Sequence, residues 1–113
     1  MANNFVDAIS KEEIAKFCQR WKIKELALFG SVLRDDFDTD SDVDIMADFG
    51  EKAEWGLLDH VQMQNELQAM FHRKVDFIGK RAIERSKNWL RRQAILDSAQ
   101  ILFSEYEAEH AER

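Results

Sequence analysis

The spacing of apolar side chains divides the chain into short alternating elements. Ser10 and Glu13 stand in the S-x-x-E order of a capping box, with Ile9 and Ile14 placed as a hydrophobic staple. Ile14, Phe17, Cys18 and Trp21 follow at helical spacing and predict a first helix. Glu25-Leu26-Ala27-Leu28-Phe29 is a short apolar run stopped by Gly30, which predicts a buried strand. Asp42 to Phe49 starts by alternating polar and apolar residues, as a strand with one face on the core does, and Gly50 ends it.

From Glu54 to His72 the pattern is helical, with Leu57, Val61, Leu67 and Phe71 on one stripe and Leu58 and Met70 at its margins. Gln64 interrupts that stripe and reads as a hydrogen-bonded core glutamine. Lys74 to Ile78 predicts another strand, ended by Gly79. Ala82 to Ser98 reads as helix in one or two pieces, and Gln100 to Phe103 as a final edge strand or the continuation of that helix. The order of elements predicts an α/β (α+β) fold, a small mixed sheet with helices packed mainly on one face.

The chain has 113 residues, which predicts a single domain over 1–113 with an acidic tail from about 104. With no proline and only four glycines, no linker or repeat is visible. No apolar run is long enough for a membrane span. The N-terminus lacks the basic and apolar regions of a signal peptide, and the lone Cys18 has no disulfide partner in the chain, so a cytoplasmic location is expected.

Charge adds a second layer. The net charge of −6 argues against general nucleic-acid binding. Ten acidic residues and one lysine lie between Asp35 and Asp59, whereas eight basic residues and two acidic ones lie between Arg73 and Arg92. Two solvated faces explain this, and so does a metal-collecting centre beside a surface for an anion or an acidic partner.

Asp42 and Asp44 are two apart on a strand and so point to one face. Close carboxylates repel, and divalent cations with a preference for hard oxygen relieve this. Asp76, between Val75 and Phe77, reaches the same side if its strand lies beside that of Asp44. Read alone it is a solvent-facing aspartate. Gly30 after a buried strand permits close approach of backbone to a ligand, Ser31 offers a hydroxyl, and Arg34 can pair with phosphate bidentately. A lone Gly-Ser or D-x-D is common, and only the order and spacing make them specific. A phosphatase using D-x-D as nucleophile and acid is a weaker reading, since no Thr follows the second aspartate.

Phe29-Gly30-Ser31-Val32-Leu33-Arg34, Ser41-Asp42-Val43-Asp44-Ile45 and Arg73-Lys74-Val75-Asp76-Phe77-Ile78 resemble the signature of the minimal nucleotidyltransferase (MNT) family of the DNA polymerase β superfamily. The resemblance runs from about Leu26 to Phe103. It departs at Leu33 and Asp35, where many members have Ala and Gly. It implies that Asp42, Asp44 and Asp76 hold two Mg²⁺ ions, and that Gly30, Ser31 and Arg34 bind the phosphates of ATP. It further implies transfer of AMP to a hydroxyl, expected to be tyrosine, of a HEPN-type toxin in a hetero-oligomer, the chain serving as antitoxin. The alternative is a non-catalytic antitoxin that neutralises its partner by occlusion. Larger relatives carry extra domains for the acceptor, so a separate protein is expected to supply that surface. Trp21, Trp55 and Trp89 read as packing residues, Cys18 as a buried one, and His60, His72 and His110 carry no assigned role.

Overall fold

The computed structural model describes residues 9–30, 42–50 and 55–105. Its elements run α1 (Lys11–Arg20), β1 (Glu25–Phe29), β2 (Val43–Asp48), α2 (Leu57–Phe71), β3 (Val75–Gly79), α3 (Lys80–Glu84), α4 (Trp89–Ser98) and β4 (Gln100–Ser104). This is the predicted order. The helical stretch after β3 is in two pieces, and Gln100 onward is a strand.

The four strands form one sheet in the order β3-β2-β1-β4. β1 is antiparallel to both β2 and β4, while β2 and β3 are parallel. Period-two alternation gives the sheet two different faces. On one, Leu26, Leu28, Val43, Ile45, Val75 and Phe77 meet Ile14, Phe17 and Cys18 of α1 and Met63, Leu67 and Phe71 of α2. This is the main core. On the other, Ala27, Phe29 and Met46 form a smaller cluster with Ile83 of α3, against which Ile95 and Leu96 of α4 pack. The α3–α4 connection thus links one edge strand to the other across this second face.

Local chemistry sets the helix starts. Ser10 Oγ accepts the Glu13 amide (3.2 Å) and caps α1, as the sequence predicts. Asn88 Oδ1 accepts the Arg91 amide (3.1 Å) and caps α4. The Asp59 carboxylate accepts the Gly56 amide (3.0 Å) at the start of α2.

The buried face of α2 differs from the expected stripe. Leu57 and Leu58 are 79% and 84% exposed, and Val61 is exposed too, while Met63, Leu67 and Phe71 carry the core contact. The reason lies in the neighbouring strand. β3 is an edge strand, so its outward backbone groups need partners. Gln68 Oε1 accepts the Val75 amide (3.0 Å), Gln64 Oε1 accepts that of Phe77 (3.4 Å), and His60 Nε2–H donates to the Phe77 carbonyl (2.8 Å). His60, Gln64 and Gln68 recur at i, i+4 and i+8, one polar row down the helix. Gln64 is therefore hydrogen-bonded, to an edge strand.

Trp21 and Trp55 pack edge-to-face, with centroids 5.1 Å apart. The Trp55 indole donates to the Trp21 carbonyl (2.9 Å), and the Trp21 indole to Glu66 of α2 (3.0 Å), which also pairs with Arg20. Both tryptophans are structural. Trp89, expected to pack, is 61% exposed. Cys18 is fully buried, and burial pushes its thiol up to about 12. Among the described residues, no helix is long and apolar enough to cross a membrane.

Candidate active site

The sheet order decides where the acids meet. Asp44 of β2 is the register partner of Asp76 of β3 on one side and of Phe29, the last residue of β1, on the other. Neighbouring strands lie about 4.8 Å apart, so the two carboxylates rise from adjacent backbones on one face. That face also carries Ala27, Phe29, Met46 and Ile78. Val43, Ile45, Val75 and Phe77 alternate to the other face and fix the strands in the main core. Asp42 stands one residue before β2. Asp42 and Asp76 are exposed and Asp44 is half-buried.

Gly30 completes this end of the sheet. It follows Phe29 with φ +77°, a left-handed conformation suited to glycine. A Cβ at this position would lie 2.3 Å from the Asp44 Oδ2. The bare Cα therefore makes room for the Asp44 carboxylate, and the sequence expectation of close approach at Gly30 acquires a definite neighbour. Ser31 and Arg34, the other expected phosphate contacts, lie outside the described residues, as does Ser41.

Asp48 shares the alternation of Asp42 and Asp44, but its role is local. Its carboxylate accepts the Gly50 amide (2.9 Å) and pairs with Lys80 (3.9 Å) at the opposite end of the strand. A cleft of about 1050 Å³ lies at that end, lined among others by Phe49, Gly50, Trp55, His60, Gly79 and Arg81. It is thus well formed yet remote from Asp44 and Asp76, and volume alone does not make it the site of chemistry. The paired acids, with the glycine beside them, are the stronger candidate.

Among the described residues, no three His, Cys, Asp or Glu side chains close around a metal position. Asp44 and Asp76 nonetheless supply the right donor type. Mg²⁺ commonly takes one or two carboxylates and completes its shell with water and substrate phosphates. An open pair of hard oxygen donors fits that habit better than a closed cage does.

Residues 11–102 match the family model described as "Nucleotidyltransferase domain". The chain belongs to this nucleotidyltransferase family. The match takes in all three acids and Gly30. A relative from Thermococcus cleftensis, protein adenylyltransferase MntA, is 33% identical over 66 residues, which is 58% of this chain and 65% of the relative. A relative from Methanocaldococcus jannaschii, named as a candidate protein adenylyltransferase, is 35% identical over 65 residues, 58% of this chain and 64% of the relative. The aligned stretch thus spans just under two thirds of these relatives' lengths.

Solved structures share the nucleotidyltransferase fold. One named as a candidate minimal nucleotidyltransferase has a TM-score of 0.61 and 29% identity, covering 79% of this chain and 85% of its own. A chain from a toxin–antitoxin structure with AMP-PNP has a TM-score of 0.64 at 16% identity, covering 91% and 80%. A chain from the complex of tri-AMPylated Shewanella oneidensis HEPN toxin with MNT antitoxin has a TM-score of 0.57 at 16% identity, covering 89% and 75%. At those last two identities the likeness is one of fold.

Sequence reasoning missed two groups near this region. His60 had no assigned role and Gln68 was passed over, although both satisfy the edge of the strand that carries Asp76. Their i, i+8 spacing with Gln64 between them was the available signal.

Proposed function

We propose that this protein is a Mg²⁺-dependent nucleotidyltransferase that moves AMP from ATP to a hydroxyl, a tyrosine, on a HEPN-type partner, and so acts as an antitoxin in the cytoplasm. The observation that carries this reading is the register pairing of Asp44 with Asp76, with Gly30 making room for the Asp44 carboxylate. Family membership agrees with it, as does the name of the Thermococcus cleftensis relative. The HEPN partner rests on the fold shared with the toxin–antitoxin structures.

In this reading Asp42, Asp44 and Asp76 would hold two Mg²⁺ ions. When bound, Mg²⁺ supplies charge neutralisation along the triphosphate and at the pyrophosphate leaving group. Gly30, with no side chain, leaves room for the Asp44 carboxylate, and its backbone with Ser31 and Arg34 takes the β- and γ-phosphates. The acceptor oxygen forms the new bond to the α-phosphorus as the bond to the bridging oxygen breaks. The hydroxyl proton passes to water beside the exposed Asp76, whose charge favours its departure, and pyrophosphate leaves with the electron pair of the broken bond.

The test is incubation of the purified protein with a HEPN partner, Mg²⁺ and ATP labelled on the α-phosphate. Label is expected on the partner with wild type and not with Asp44→Ala. A partner left unlabelled by wild-type protein would sink the proposal. A second reading, neutralisation of the partner by occlusion, is separated from the first by removing the carboxylates. That reading expects the double variant Asp42→Ala/Asp44→Ala to go on neutralising its partner.

A further inference from the structure

The α3–α4 connection carries a surface that the nucleotide site does not use. Residues 80–92 contain six basic side chains and one acidic one, in a chain of net charge −6. Arg85, Lys87 and Arg91 are exposed, and among the described residues none of them forms an ion pair. Beside them Trp89 and Leu90 are 61% and 65% exposed at the start of α4. A single exposed apolar side chain is ordinary, but adjacent Trp and Leu ringed by cations are not.

This surface is built rather than frayed. Arg92 donates to the carbonyls of Glu84 (3.2 Å) and Ser86 (3.1 Å), which ties α4 to the end of α3. Asn88 caps α4, and Ile95 and Leu96 seat the helix on the second sheet face. That is the face bearing Asp44 and Asp76. The ten residues of α4 span about 15 Å. A protein–protein footprint of roughly 800 Å² per partner easily covers that length.

We infer that Trp89, Leu90, Arg85, Lys87 and Arg91 form the docking surface for the acceptor protein, and that they take an acidic segment of it. The inference rests on the catalytic reading for the role of that partner. Trp and Arg are the side chains that most often anchor protein interfaces, and the surrounding positive charge selects an acidic segment. Cations with an exposed aromatic also suit RNA, but the net negative charge and the acid-rich 35–59 stretch oppose a polyanion lying across this protein.

The test uses four probes on the full chain: a fluorescein-labelled peptide with acidic residues flanking a tyrosine, the same peptide with Asn and Gln in their place, a short single-stranded RNA, and AMP-PNP. Wild type is expected to bind the acidic peptide about tenfold more tightly than the amide peptide, with an affinity that falls as salt rises. Arg85→Glu/Lys87→Glu/Arg91→Glu and Trp89→Ala/Leu90→Ala are each expected to lose roughly tenfold in peptide affinity. Both should retain wild-type AMP-PNP binding and circular dichroism. Equal binding of the two peptides, unchanged affinity in both variants, tighter binding of RNA than of peptide, or loss of AMP-PNP together with the peptide would each overturn the proposal. Asp44→Asn separates the two readings, because it should bind the acidic peptide as wild type does while transferring no AMP. Peptide binding by a wild-type protein that transfers no AMP supports the docking surface and sinks the catalytic reading alone.

Discussion

The Cα of Gly30 faces the carboxylate of Asp44 so closely that a Cβ there would lie 2.3 Å from Oδ2. Gly30→Ala therefore has two consequences. Its φ of +77° strains any L side chain, at a cost above about 1 kcal/mol. The methyl group also displaces Asp44. Gly50→Ala is the matched control: φ is +75°, but the nearest atom to its Cβ is Cδ of the flexible Lys24 side chain. Both variants are expected to lower Tm by a similar amount. Only Gly30→Ala should abolish AMP transfer and the stabilisation by Mg²⁺ and AMP-PNP, which a thermal melt with and without ligands reads directly.

Asp76 gives the complementary expectation. Carboxylates at directly paired register positions repel when no cation lies between them. Asp76→Asn should leave the ligand-free protein at least as stable as wild type. With Mg²⁺ and AMP-PNP at about 100 times Kd, wild type gains roughly 2.7 kcal/mol, and the variant should gain much less. A variant that is less stable without ligand and equally stabilised with it would place Asp76 in a structural role.

The strands and helices were legible because each buries one periodic face, so alternation and helical spacing located β1, β2, β3 and α1 directly. Alternation also put Asp42 with Asp44 and matched Asp76 to them. Register partnership did not follow from sequence, since it depends on β3 lying beside β2 rather than elsewhere in the sheet. Leu67 and Phe71 of α2 are buried as their spacing predicts, but Leu57 and Val61 are not, for a related reason. Helical spacing puts Leu57 on the core stripe and Leu58 at its margin, but the face of α2 is set by the bare edge of β3, which demands His60, Gln64 and Gln68. A polar row facing an edge strand has no apolar signature. Ser31 and Arg34, named from sequence as phosphate contacts, lie outside the described residues.

That polar row makes a graded prediction. Gln68→Ala removes the acceptor for the Val75 amide and should cost about 1–2 kcal/mol, with faster hydrogen exchange at Val75. The longer 3.4 Å contact from Phe77 to Gln64 predicts a smaller loss for Gln64→Ala. Equal stability of both variants and wild type in urea unfolding would show that water satisfies this edge as well as the glutamines do.

The core assignment of α2 is tested by a pair of truncations. Met63 is fully buried, so Met63→Ala should destabilise by about 2–4 kcal/mol. Leu57→Ala/Leu58→Ala removes more apolar volume from an exposed turn and should cost under roughly 0.5 kcal/mol at each position. The reverse ranking in denaturant melts would restore the stripe expected from sequence.

Cys18 links the core to pH. Its thiol is an acid that burial pushes from its ordinary 9.0 up to about 12, so the folded state holds the proton more tightly than the unfolded state does. Stability from this source is complete below about pH 9 and is lost as pH rises towards 12. Between these limits the unfolded chain releases a proton that the folded chain keeps. The resulting slope is about −1.4 kcal/mol per pH unit at its steepest. The informative quantity is the difference between wild type and Cys18→Ala in urea melts at several pH values. The variant should be less stable at pH 7, because a packed side chain is lost, and the gap should narrow steadily above pH 9. In the folded wild type the thiol should also resist alkylation at pH 8 until denaturant is added. A constant gap, or rapid modification of the native protein, would mean that Cys18 reaches solvent more readily than its place between α1 and the sheet allows.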